Sequence, residues 1–183
     1  MAGVLGYQVM RLLQLSRHRK ARVWFNEAPN AGYTPIDFVR RVVSVGPASP
    51  PATRIAAIEL MVPRGPRASY GLLGAEWIES ASRDGEVSVA VNNKGFSMQE
   101  SLAMMPDDVR LGLLDEYAPA VVSGVESVVS EGWRFEGALN FQWAAHAAAG
   151  SSSALFTELS ALVVRLLAMT TVPSDNDLVR LFS

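Results

Sequence analysis

Ala138-Leu139-Asn140-Phe141-Gln142-Trp143-Ala144-Ala145-His146, the bend Ala147-Ala148-Ala149-Gly150, and the run from Ser151 to Leu167 decide the fold of this chain. In the first piece Leu139, Phe141, Trp143 and Ala145 alternate with Asn140, Gln142, Ala144 and His146. Period two with aromatic residues predicts a strand with one face on the core. Four small residues then turn the chain. Ser151, Ser152 and Ser153 are each able to cap a helix that starts there. Leu155, Leu159, Leu162 and Leu166 recur at steps of three and four, with Phe156, Val163 and Leu167 beside them, which predicts that helix.

Upstream, Leu111, Leu114, Ala118, Val121, Val125 and Val128 form a second helical stripe. Proline is tolerated only in the first turn of a helix, so Pro119 places the start near Glu116 and leaves Asp107 to Leu113 as a separate turn. Asp115 and Glu116 suit the positive end of the helix dipole, and Gly132 ends it. Before this block, Ile55–Val62, Leu72–Glu79 and Glu86–Asn92 read as strands, separated by Pro63-Arg64-Gly65-Pro66-Arg67 and Arg83-Asp84-Gly85. Strands followed by helix, strand, helix predict an α+β two-layer sandwich, with a mixed or antiparallel sheet and two helices packed on one face.

The ends are read differently. Val4–Ser16 is expected to be a short helix and Ala21–Phe25 a strand. Thr34-Pro35-Ile36-Asp37 signals a helix start, and Ile36, Val39, Val42 and Val43 continue a helical stripe, with a strand as the alternative for so β-branched a run. Gln99–Met105 is expected to be a short helix stopped by Pro106. Gly46–Thr53, rich in proline, reads as a linker. The expected organisation is a basic arm or small subdomain at 1–50, the sandwich at 51–171, and a tail at 172–183 whose Leu178, Val179, Leu181 and Phe182 can dock.

Composition narrows the function. The 183 residues hold no cysteine and two histidines, His18 and His146. Disulfides, thiolate chemistry and multi-histidine metal sites are therefore excluded. No signal-peptide layout and no run of about 18 apolar residues is present, which points to a cytoplasmic protein with no membrane partner. No cofactor is expected. The net charge of −2 is unevenly spread: Arg11, Arg17, Arg19, Lys20 and Arg22 all precede the first acidic residue, Glu27. Such an arm is a candidate contact for nucleic acid, joined by Arg64, Arg67 and the nearby aromatics Trp24, Phe25 and Tyr33; the competing reading is a solvated face and buried rings. Charged residues make up 19% of the chain, below the usual quarter, so a protein partner or homo-oligomer that buries apolar surface is also expected.

Two resemblances carry the functional expectation. Gly150-Ser151-Ser152-Ser153-Ala154, opening a helix after a strand, resembles the phosphate loop of small-molecule kinases in the galactokinase and homoserine kinase superfamily. The competing reading is an N-capped helix after a tight loop. Glu116-Tyr117-Ala118-Pro119-Ala120-Val121 followed by Gly124-Val125 resembles the helix start in domain IV of elongation factor G. His146, Ser151-Ser152 and Phe156 also resemble that domain, as does Pro63-Arg64-Gly65. Over about residues 55–169 the resemblance implies the fold shared with ribosomal protein S5. It implies a ribosome- or RNA-facing module with His146, Gly150, Ser151, Ser152 and Ser153 at a tip loop. No P-loop GTPase motif is present. The expectations are thus a non-catalytic binding module at the ribosome or on RNA, a protein–protein subunit of an oligomer, or a phosphate-binding enzyme using Gly150–Ser153.

Overall fold

In the computed structural model the described residues are 9–44, 54–65, 67–80, 83–103 and 108–183, without the side chain of Arg67. The linker expected at 46–53 lies outside them. The fold is α+β: one eight-stranded sheet with helices on one face. The strands are β1 (Val9–Gln14), β2 (Lys20–Phe25), β3 (Asp37–Ser44), β4 (Ile55–Arg64), β5 (Arg67–Ile78), β6 (Gly85–Val91), β7 (Val109–Leu111) and β8 (Gly137–Ala147). The helices are α1 (Ala118–Ser130), α2 (Ser153–Leu167) and α3 (Asp175–Leu181).

The sheet runs β1-β2-β4-β5-β8-β6-β3, with β7 alongside the end of β8. Every pairing is antiparallel except β6 with β8. Parallel neighbours need a long crossover, and the segment holding β7 and α1 supplies it. The described part of residues 1–50 contributes β1, β2 and β3, which occupy both ends of this same sheet. Val9–Gln14 is a strand where the spacing predicts a helix, and Asp37–Ser44 takes the strand that its β-branched run leaves as the alternative. Residues 99–103 are irregular, and 104–107 fall outside the described residues.

One face of the sheet carries the main core. Ala56, Ile58 and Leu60 of β4, Leu73, Ala75 and Trp77 of β5, Val87, Val89 and Val91 of β6, and Leu139 and Phe141 of β8 pack against Val121, Val125 and Val128 of α1 and Leu159, Val163 and Leu166 of α2. Both helices lie together on that face. Gly124 makes this possible: a Cβ there would overlap Ser160 Oγ and the Thr157 carbonyl of α2 and lie 3.1 Å from Ala161 N. Phe156 stacks on Tyr117 at 4.9 Å between centroids. In the tail, α3 starts with a Ser174–Asp177 capping box and docks through Leu178 and Phe182, both buried.

The opposite face has a smaller core around Trp24, Met61, Tyr70, Leu72 and Ala145, covered by Met98, Leu102, Val109 and Leu111. Trp143 packs here too, not on the helix face. The register slips between Gly74 and Ala75, where Trp143 and Phe141 are the respective partners and Gln142 is the extra residue. Such a bulge breaks the period of two. Leu139 and Phe141 face the helices as their alternation predicts, while Trp143 and Ala145 do not.

Candidate functional site

The bend after β8 is at the rim, with Ala148 and Ala149 exposed. The side chains expected to make it a binding tip are committed to the fold. His146 is a β8 residue at 5% exposure, and its Nδ1 lies 2.9 Å from the Gly112 carbonyl. It braces β8 against the turn after β7. Ser151 Oγ accepts from Ala147 N at 2.9 Å and donates to the Tyr70 carbonyl at 2.5 Å, so both roles of the hydroxyl are used inside the chain. Ser152 Oγ accepts from Leu155 N at 3.3 Å as the N-cap of α2. Ser153 is exposed at the first turn. Gly150 is needed for close packing, because a Cβ there would overlap the Ala68 carbonyl; its own carbonyl accepts from Tyr70 N at 3.2 Å. The loop thus fits an N-capped helix joined tightly to β5.

The basic arm is a β1–β2 hairpin, and it spreads its charges over both faces. Arg11 pairs with Asp175 of α3. Arg19 reaches Glu158 of α2 and the Phe182 carbonyl, both at 3.1 Å. Arg22 points to the other face, 3.4 Å from Glu59. Arg17 is exposed in the turn, and Lys20 is half-buried at the start of β2. Arg64 is exposed at the end of β4, on the side of the sheet where the β1–β2 turn lies, three residues past the Met61–Lys20 pair. Trp24 and Phe25 are buried, and the Tyr33 hydroxyl, half-buried, donates to the Ala90 carbonyl at 2.6 Å.

What the structure assembles instead lies around Glu59. This residue is 0% exposed in the middle of β4, on the face away from the helices. Its Oε1 accepts from Tyr70 Oη at 2.8 Å and from Leu102 N at 2.7 Å. Burial pushes its carboxyl above the ordinary 4.5, opposed by the Leu102 amide, the Tyr70 hydroxyl and the Arg22 guanidinium. The same burial, with Glu59 beside it, pushes the Tyr70 phenol well up. Arg22 is held between the Glu59 carboxylate, the Glu100 carbonyl at 3.3 Å and the Trp24 ring, 5.6 Å away.

Arg22 and Trp24 form one wall of a cleft of about 430 Å³, closed by Met10, Glu27, Asn30, Met98 and Glu100. A buried carboxyl with one charge partner beside a cleft is the pattern of a functional group as well as of a structural ion pair. The sequence carries a signal for it: Glu59 is the one charge inside the otherwise apolar run from Ile55 to Val62. Local pattern alone reads that run as a strand and nothing more. Among the described residues no three His, Asp or Glu side chains gather as metal ligands, and no helix is long and apolar enough to cross a membrane.

The third feature is the β3 edge. Ile36, Phe38 and Val42 are 59%, 43% and 54% exposed. By register Phe38 and Val42 stand over Ala90 and Glu86 of β6, on the side away from α1. Arg40 stacks over Phe38 at 5.0 Å. Set against protein-family models, curated proteins and solved structures, the chain matches none of them.

Proposed function

We propose that this protein is a non-catalytic binding module that works through protein–protein contact at the β3 side of its sheet. The observation that carries the reading is the exposure of Phe38 and Val42 on an edge strand and of Ile36 just before it. Clustered apolar side chains on a polar-rimmed surface mark interaction sites, and an edge strand adds unpaired backbone groups that a partner strand can use. A ribosome- or RNA-facing role draws less support. Three of the five arm cations, Arg11, Arg19 and Arg22, already sit with carboxylates, whereas phosphate binding needs cations free to displace counterions. The phosphate-enzyme reading has the least support, since Ser151 and Ser152 are spent on backbone groups.

The test is direct. The native chain isolated at low salt is expected to retain protein and no RNA, and nucleotides are expected to leave its melting temperature unchanged. Salt-dependent RNA binding that is lost on neutralising Arg17, Arg19 and Lys20 would sink this reading in favour of the RNA one. The cleft at Arg22 and Trp24 favours a second reading, in which it seats one small polar group. A saturable change in tryptophan fluorescence with a small-molecule panel, absent when Met10→Phe narrows the mouth, is the expected sign of it.

A further inference from the structure

We propose that the partner of the β3 edge is a second copy of this chain, paired antiparallel about a two-fold axis through Val39. This deepens the protein-contact reading and rests on it. Among the described residues β3 pairs only with β6, so its outer edge has no strand beside it. A two-fold pairing centred on one residue sets each position before it against the matching position after it in the other copy. Centring on Arg40 or on Arg41 puts arginine opposite arginine, which is unfavourable across a strand pair. Centring on Val39 does the reverse. Asp37 then faces Arg41 of the other copy, Phe38 faces Arg40, and Ile36 faces Val42.

The Asp37–Arg41 and Phe38–Arg40 pairs each share a sheet face, as a strand pair requires, and Ile36 lies just before the strand. Asp37, Val39 and Arg41 stand over Val91, Val89 and Val87 on the helix side, while Phe38, Arg40 and Val42 stand over Ala90, Ser88 and Glu86 on the other. The apolar side chains that are exposed in one copy gain apolar or cation–π partners in two. Within one chain Arg40 already stacks over Phe38 at 5.0 Å, two residues along the same strand, and the facing copy would offer the same pair across the seam. On the helix side Val39 and Arg41 line a groove of about 150 Å³ against Val122 and Glu126 of α1, which leaves room beside the seam for the facing Asp37. Arg41 also reaches Glu126 Oε1 of α1 at 3.2 Å, an exposed pair whose guanidinium has further N–H groups for the facing Asp37. The other edge strand offers nothing comparable, because β1 holds no acidic residue and pairing it about Leu12 brings no opposite charges together.

The two-fold axis makes the charge test self-controlled. Asp37→Arg alone sets arginine against Arg41, and Arg41→Asp alone sets aspartate against Asp37. Each is expected to weaken self-association on the order of tenfold, because the reversed pair occurs twice at the seam. Mixing the two variants restores opposite charges at both places and is expected to give a one-to-one heterodimer. The readout is sedimentation velocity over a dilution series, with circular dichroism confirming that each variant is folded. A wild-type chain that stays monomeric throughout overturns the pairing, while the protein-contact reading is answered separately by what co-purifies. Dimers that ignore both single reversals, or a mixture that stays monomeric, overturn it equally.

Discussion

Replacing Gly124 by alanine reads the fit of the two helices directly, because the two effects involved have opposite signs. In a solvated helix Gly→Ala stabilises by about 1 kcal/mol, since glycine is the worse helix former. At Gly124 the new methyl would overlap Ser160 Oγ and the Thr157 carbonyl, with Ala161 N 3.1 Å away. Two of those three atoms are backbone, so no rotamer change relieves them; α1 must lift from α2. Overpacking of this kind costs about 1–3 kcal/mol, with the upper end expected where backbone must move. The overlap wins over the propensity gain, leaving a net loss of about 1–2 kcal/mol.

For a chain of this size each kcal/mol moves the midpoint by about 2–4 °C, so the melting temperature should fall by about 2–8 °C. Ser123→Ala is the control: Ser123 is exposed on the same helix, and its substitution should raise stability by a few tenths of a kcal/mol, about the propensity difference. Thermal or urea unfolding measures both. If Gly124→Ala is as stable as the wild type or more so, the helices do not meet at this glycine and the two-helix layer is wrong.

Three more substitutions probe other parts of the fold. Glu59 keeps its proton in the folded chain at pH values where the unfolded chain has lost it, so its contribution is fully present below about pH 4.5 and is lost as pH rises through its raised folded value. Glu59→Gln should flatten that fall in urea midpoints measured against pH, and an unchanged slope would show that Glu59 is not its source. Ser151→Ala removes a donor and an acceptor from two backbone groups and should cost about 1–3 kcal/mol, with Ser153→Ala near neutral; equal melting temperatures would contradict the Ser151 bonding. Leu178→Ala should cost about 2–5 kcal/mol by the usual penalty for a buried leucine. It should also speed hydrogen exchange across α3, and unchanged exchange would mean the tail is held by something other than Leu178.

Much of the architecture is legible in local pattern. The stretches around Ile58, Leu73, Val89 and Phe141 read as strands because one of their faces, or both, is buried, and burial writes period two or an unbroken apolar run into the sequence. The stripes at Val121–Val128 and Leu155–Leu166 read as helices for the same reason at period 3.6. β1 and β3 mimic helices in sequence because they are edge strands. Leu12, Phe38 and Val42 are apolar yet exposed, which fills in the alternation and leaves spacings of three and four by coincidence.

The sequence by itself determined the two-layer class, the place of the helices' core faces, the start of α1 near Pro119 and the serine cap of α2. The helix stripes and caps are fixed by contacts within a few residues along the chain, and the class follows from the order in which those elements come. Only the tertiary structure decided that the first fifty residues supply strands at both ends of the sheet, that His146 is buried, and that the arm's arginines meet acids from α2, α3 and β4. It also placed Glu59 under Leu102 and beside Arg22. Those outcomes depend on which strands lie next to one another and on a single bulge at Gln142, and strand order and bulges are settled by long-range packing that no local spacing records.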